Sequence, residues 1–344
     1  MLPRLRWSFD PLRMEISVVL RNSSCYSRAA TTTSVPAALL ILAAIFAGCI
    51  PSRHALPAPA TGLWDAHSHL SWYGEAALDS LLAYGVVGVR DVGGDALQLR
   101  QWRDEIRSGA RRGPMIFFAG PVIDGPKRNP RFRATARTAD EGRRIVDSLA
   151  DLGVDLIKTH NGLAPEVYFA VVRQAHHRNL KVASHLPRGV PAWVAVDSGV
   201  ESIEHAGESM LASPIYAGYA TTVEEARTWW RSAAGDSMLA RLGRQHAVVV
   251  PTLVAYRAVA MSEPAGPSRD AWMNTFRFLE ELTGRMHRAG ITLLAGSDYV
   301  SPAEGLVPGK SILEEIQLLE ESGLTHREAV DAASVTITNW LKAR

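Results

Sequence analysis

The stretch "GLWDAHSHL", residues 62–70, places His67 and His69 two apart just after a short apolar run. In a strand, residues i and i+2 share a face, so both imidazoles would leave one side while Ala66 and Ser68 face the other. Two histidines on one strand face make half of a metal site. A polar strand end with two incidental histidines explains the pair equally well, so the rest of the chain must decide. Four other apolar runs end in groups of the same kind: "LIKTH" in Lys158 and His160, "VASH" in His185, "SIEH" in His205 and "LAGSD" in Asp298. Alone, Lys158 is an ordinary strand-end lysine and Asp298 an ordinary turn cap. His160 shares a face with Lys158 and is a candidate substrate contact, with a plain strand-end role as the alternative. Asp65 shares the face of His67 one layer deeper, which suits an outer partner of that imidazole.

The elements that must position these groups alternate in a βα rhythm from Gly62 onward. Strands are expected at 62–69, 85–92, 115–123, 154–160, 181–185, 200–206, 247–255 and 291–298. Between them lie amphipathic segments: "TADEGRRIVDSLADLG" opens on a threonine cap and carries Ile145, Leu149 and Leu152 at helical spacing. "APEVYFAVVRQAHHRN" has Pro165 in its first turn, and "PGKSILEEIQLLEESG" and "LTHREAVDAASVTITNWL" read as the last two helices. Eight such repeats predict an α/β fold of the (β/α)8 TIM-barrel type, which takes roughly 250 residues. An open doubly wound sheet would more often carry a glycine-rich loop after its first strand, and "WDAHSHLSWYG" is not one. In a barrel the active site forms at the strands' C-terminal ends, which is where all of these groups fall. The long connections at 207–246 and 256–290 would then lie over that face.

The N-terminus reads as a leader. An arginine-bearing stretch runs into "VPAALLILAAIFAGC", too short for a span of about 20 residues, and the order of charge, apolar core and small residues is that of an export signal. "FAGC" resembles the bacterial lipoprotein signal, which makes Cys49 the lipidated first residue of a mature protein, although Phe46 stands where an aliphatic residue is preferred. The expected organisation is a leader at 1–49, a short linker at 50–61 and a barrel at 62–344, exported to the bacterial periplasm or tethered to a membrane by lipid. Beyond residue 48 the chain has 32 basic and 33 acidic residues and no basic patch interleaved with aromatics, so nothing points to nucleic acid. The only other cysteine is Cys25, so the barrel lacks thiols and its chemistry must use His, Asp, Glu, Lys or Ser.

Across nearly all of 62–344 the sequence resembles the amidohydrolase superfamily. The resemblance is carried by "GLWDAHSHL", "YGVVGVRDVGGD", "VDLIKTHNGL", "KVASHLPRG", "SIEHAGE", "VVVPTLVA", "LLAGSDY" and "PGKSILEEIQLLEESGLTHREAVDAAS". The matching members are binuclear, with a carboxylated lysine, related to imidazolonepropionase and to Xaa-Pro and Xaa-Arg dipeptidases. The resemblance implies that His67, His69 and Asp298 hold one divalent metal and His185 and His205 another, bridged by a carbamate on Lys158. It further implies that a metal-bridging hydroxide attacks an amide-type C–N bond, with Asp298 as general base and then acid. Zinc is the first expectation for the metals, with Mn, Co or Fe using the same donors.

Relatives of this kind usually add a small β-sandwich, and neither half is evident here. Its loss would bare helix surface and favour homo-oligomers. "HAGE" at 205–208 resembles an adenosine deaminase motif, in which Glu208 would move the proton at a single metal and release ammonia. Against that stand the strand count, Lys158 and Ser297–Asp298–Tyr299. The third reading is a catalytically silent, tethered binding protein, whose expected mark would be a broken ligand set. For the substrate, an exported hydrolase of this kind suits dipeptides or N-acyl amino acids. The segment "DGPKRNPRFR" offers Lys127, Arg128, Arg131 and Arg133 to a substrate carboxylate, or to solvent.

Overall fold

A computed structural model describes residues 62–126, 132–299 and 305–343. The expected leader, Cys49, the linker up to residue 61, Lys127, Arg128 and Arg131 lie outside the described residues.

The strands are β1 (Leu63–Ser68), β2 (Val86–Asp91), β3 (Met115–Phe118), β4 (Val122–Asp124), β5 (Arg133–Thr135), β6 (Leu156–Thr159), β7 (Lys181–Ser184), β8 (Ser202–Glu204), β9 (Val248–Val250) and β10 (Thr292–Leu293). Every pairing is parallel, in the orders β1-β2-β3 and β10-β9-β8-β7-β6-β4-β5. β3 and β4 are two halves of one stave, broken at Ala119–Pro121. Phe118 O of the first half accepts from Asp155 N just before β6, and Ile123 O of the second half accepts from His160 N just after it. The ring closes beyond β10: Ala66 N donates to Ala295 O, Asp298 N donates to His67 O, and Ser68 bridges Tyr299 in parallel. Eight staves thus form a (β/α)8 barrel. β5 is a short addition on the outer side of β4.

The helices follow from their caps. Residues 139–152 start at Thr138, whose hydroxyl accepts from Glu141 N, and stop at left-handed Gly153. Besides the broken third stave, two expectations change. Strand 247–255 ends at Val250, because Thr252 turns left-handed and Leu253–Ser262 is helix. The last expected helix is two, His326–Ala332 with a Thr325–Glu328 capping box and Val335–Lys342, separated by Ala333–Ser334.

The last helix closes the N-terminal end of the barrel. Ile337, Trp340 and Leu341 pack against Trp64, Ala66, Val250 and Leu294. Trp340 Nε1 donates to Glu201 O, and the Lys181 ammonium and Arg90 guanidinium lie 4.3 and 4.8 Å from its ring centroid. With that end plugged, the opposite end of the staves is left to carry the chemistry.

Candidate metal centre

Five imidazoles form a continuous arc across the C-terminal ends of the staves. Ring centroids are 4.4 Å apart for His160–His185, 4.6 Å for His185–His205, 4.7 Å for His205–His67 and 5.3 Å for His67–His69. Asp298 reaches into it: its Oδ1 lies 3.4 Å from His67 Nε2 and 3.2 Å from His69 Nε2, and its Oδ2 lies 3.6 Å from His205 Nδ1. Ligand atoms of His67, His69 and Asp298 all fall within 4.8 Å of one another, a group that could hold one metal ion. Lys158, only 2% exposed, projects from β6, and its Nζ has no hydrogen-bond partner. His67 Nε2 and His185 Nε2 are likewise buried without one. Buried polar atoms are ordinarily paired, so three such atoms at one site suit a cation as their common partner. An imidazole, imidazole and carboxylate donor set suits zinc and its first-row neighbours.

The electrostatics agree with that donor set. Burial pushes His67, His185 and His205 well below the usual imidazole range, with neighbouring cations adding to the effect. Neutral imidazoles offer a lone pair, as a metal requires. Burial also lowers His69, but the hydrogen bond and charge of Asp298 outweigh it and lift His69 above its ordinary value. Burial brings the Lys158 ammonium down to about 8, opposed by Glu204 and Asp298. His160 falls to about 4, again through burial, although Asp124 Oδ2 sits 3.3 Å from its Nδ1.

A set of buried groups that spacing did not reveal aims these side chains. His67 Nδ1 lies 2.7 Å from Glu204 Oε2, and the Glu204 carboxylate accepts from Arg90 Nη2 at 2.8 and 2.9 Å and from Ser202 Oγ at 2.6 Å. Arg90 also donates to Ala66 O and to Ser202 Oγ. His69 Nδ1 is held at 2.9 Å by Gly93 O, where a Cβ on Gly93 would sit 3.0 Å from the imidazole. Asp91 fixes that corner, accepting from Leu70 N and Gly93 N. His205 Nδ1 pairs with Thr252 Oγ1 at 3.0 Å. The signals available in sequence were Arg90–Asp91 inside an apolar strand and Glu204 directly before His205.

Asp65 acts differently from the expected imidazole partner. The β1–β2 register shifts between Asp65 and Ser68, so strict alternation fails there. The carboxylate instead accepts from His67 N, Ser297 N and Ser297 Oγ, tying the first stave to the eighth. The backbone at the site is strained in keeping with this: His205, Thr252 and Asp298 have φ of 73°, 54° and 50°. Glu208 lies on a π-helical turn, Ala206–Leu211, with its carboxylate accepting from Tyr256 Oη. On the outer side of the barrel wall, His176 Nε2 lies 3.2 Å from Glu201 Oε1.

No protein-family model and no curated protein matches the sequence. Solved structures do match it. An amidohydrolase has a TM-score of 0.62 at 22% identity, covering 82% of this chain and 74% of that one. Bottromycin amidohydrolase has a TM-score of 0.62 at 23% identity, with 82% and 67% covered. A Xaa-Pro dipeptidase with methionine bound in its active site has a TM-score of 0.62 at 20% identity, with 83% and 75% covered. The chain therefore has the barrel fold of the amidohydrolases and Xaa-Pro dipeptidases.

Proposed function

We propose that the protein is a metal-dependent amidohydrolase that cleaves the C–N bond of a dipeptide or N-acyl amino acid. The observation that carries this reading is the convergence of six chemistry-bearing residues from five staves, with His67 Nε2, His185 Nε2 and Lys158 Nζ buried without a hydrogen bond. His67, His69 and Asp298 would hold one divalent ion, and His185, His205 and a carbamate on Lys158 a second. Ions held there supply Lewis acidity toward a carbonyl and toward water.

The chain's own groups do the rest. With its pKa brought down to about 8, Lys158 Nζ is neutral often enough to add to carbon dioxide. It releases a proton in doing so and becomes a carbamate with two oxygen donors. Glu204, Gly93 O and Thr252 keep the imidazole tautomers and planes fixed, so donor geometry needs no reorganisation. Asp298 accepts the proton lost by water and returns it to the leaving amine, general base then general acid. His160, neutral above about pH 4, can donate or accept a hydrogen bond at the substrate. Likeness to a prolidase complexed with N-methylphosphonate-L-proline supports this substrate class. Export and lipid anchoring through Cys49 accompany the proposal from the leader sequence alone.

The test is a panel of dipeptides and N-acyl amino acids, assayed for free amine and for ammonia, on wild type, Asp298→Asn and Glu208→Gln. Amine release abolished by Asp298→Asn and changed less than about threefold by Glu208→Gln supports the proposal. Ammonia release dependent on Glu208 would replace it with the deaminase reading. Activity indifferent to Asp298 would replace it with the silent binding protein.

A further inference from the structure

We propose that Arg133 receives the carboxylate of the substrate, so that the site selects N-acylated α-amino acids, free dipeptides among them, over amides without that carboxylate. This rests on the hydrolase reading above and names its substrate class.

Three side-chain cations are placed against the imidazole arc by their contacts: Lys158 stands within it, Arg90 pairs with the Glu204 that holds His67, and Arg133 pairs with the Asp124 that lies beside His160. Two of them are committed. Arg90 is 0% exposed and bound to Glu204, and Lys158 is 2% exposed within the arc. The Arg133 side chain is 26% exposed, so it alone of the three can meet a ligand from solvent. It stands on β5, outside the ring of staves, and shares Asp124 Oδ2 with His160 at one end of the arc.

Its orientation is fixed from below. Asp124, at the end of β4, is fully buried and accepts from Gly125 N at 2.8 Å, Gly162 N at 2.9 Å and Arg133 Nη1 at 2.5 Å. Among the described residues that is the one hydrogen bond of the Arg133 guanidinium, leaving its other edge to donate. A planar guanidinium held by a fixed carboxylate on one side is suited to bind a second carboxylate through paired N–H donors. His160 stands on the same Asp124, its Nδ1 3.3 Å from Oδ2. The basic segment read in the sequence therefore contributes at least one residue to recognition rather than to solvation.

The experiment pairs each dipeptide or N-acetyl amino acid with its C-terminal amide, on wild type, Arg133→Gln and Arg133→Lys. For the acids, kcat/KM should fall about ten- to a hundredfold in Arg133→Gln, mostly through KM, as expected for losing a charge-assisted hydrogen bond. For the amides it should change less than about threefold, and Arg133→Lys should lie between. A second arm needs no turnover: calorimetry of N-acetyl-L-alanine against N-acetyl-L-alanine amide on chelator-treated protein. The acid should bind about tenfold or more tighter to wild type and equally with the amide to Arg133→Gln. If wild type hydrolyses no pair but keeps the acid preference in calorimetry, the hydrolase reading fails while the role of Arg133 stands. A variant that retains the preference, or that weakens acid and amide alike through a disturbed Asp124, overturns the role of Arg133.

Discussion

Replacing Arg90 by methionine isolates what the buried network beneath the site contributes. Arg90, Glu204 and His67 are all 0% exposed, and Glu204 is held by Arg90, Ser202 and His67 together. Burial pushes the Glu204 carboxyl upward, yet Arg90 and Lys158 outweigh it and hold its pKa below the ordinary value. That stability is present above the unfolded pKa and is lost as pH falls through the folded one. Arg90→Met keeps the chain volume and its packing on Trp340 but leaves a buried carboxylate without its main counter-charge. Breaking a buried pair in this way costs about 3–5 kcal/mol. The double variant Arg90→Met, Glu204→Gln removes the orphaned charge as well and should regain about half of that loss. Urea denaturation of the metal-free protein at pH 7.5 measures both, and the Arg90→Met deficit should shrink as pH is lowered and Glu204 protonates. A deficit below about 1 kcal/mol, or a double variant no more stable than the single, would refute the reasoning.

Four further outcomes follow from the same geometry. At pH 7 a lysine with pKa near 8 is about one-tenth neutral, against well under one-thousandth for an unperturbed lysine. At fixed dissolved carbon dioxide, metal uptake should therefore quicken as pH rises toward 8 and then level off, followed by stopped-flow reconstitution. The metal-free protein should also gain about 3 kcal/mol of stability between pH 8 and 10.5, because the unfolded chain binds the Lys158 proton more tightly in that window. Gly93→Ala drives a methyl against the His69 ring; it should cost about 1–3 kcal/mol in thermal or urea unfolding and lower metal affinity about tenfold by equilibrium dialysis. Glu204→Gln should keep the protein folded by circular dichroism but lower metal affinity about ten- to a hundredfold, since His67 loses its anionic anchor.

Which parts of this were readable in sequence follows from locality. The strand ends carrying His67, His69, Lys158, His185, His205 and Asp298 each announce themselves within a few residues, and a barrel gathers strand ends by construction. The role of Asp65 is not readable in the same way, because alternation cannot show a register shift such as that in β1. Arg90 and Glu204 are 114 residues apart, and in strands buried on both faces neither period nor composition tells a paired ion from an isolated one. The split third stave and the helix beginning at Leu253 were hidden for a related reason. Short apolar runs suit strand and helix alike until a left-handed residue such as Thr252 breaks them. The contact of Arg133 with Asp124, nine residues away, is likewise not readable in a segment where both are charged residues of a turn-rich run.

The most direct test of the account is metal per chain, by elemental mass spectrometry, on the full chain prepared with bicarbonate and on Lys158→Ala beside it. The account predicts about two divalent ions per chain, falling to one or none in the variant while it stays folded. One ion indifferent to Lys158 would contradict the bridged centre, and no metal in a well-folded protein would contradict the hydrolase.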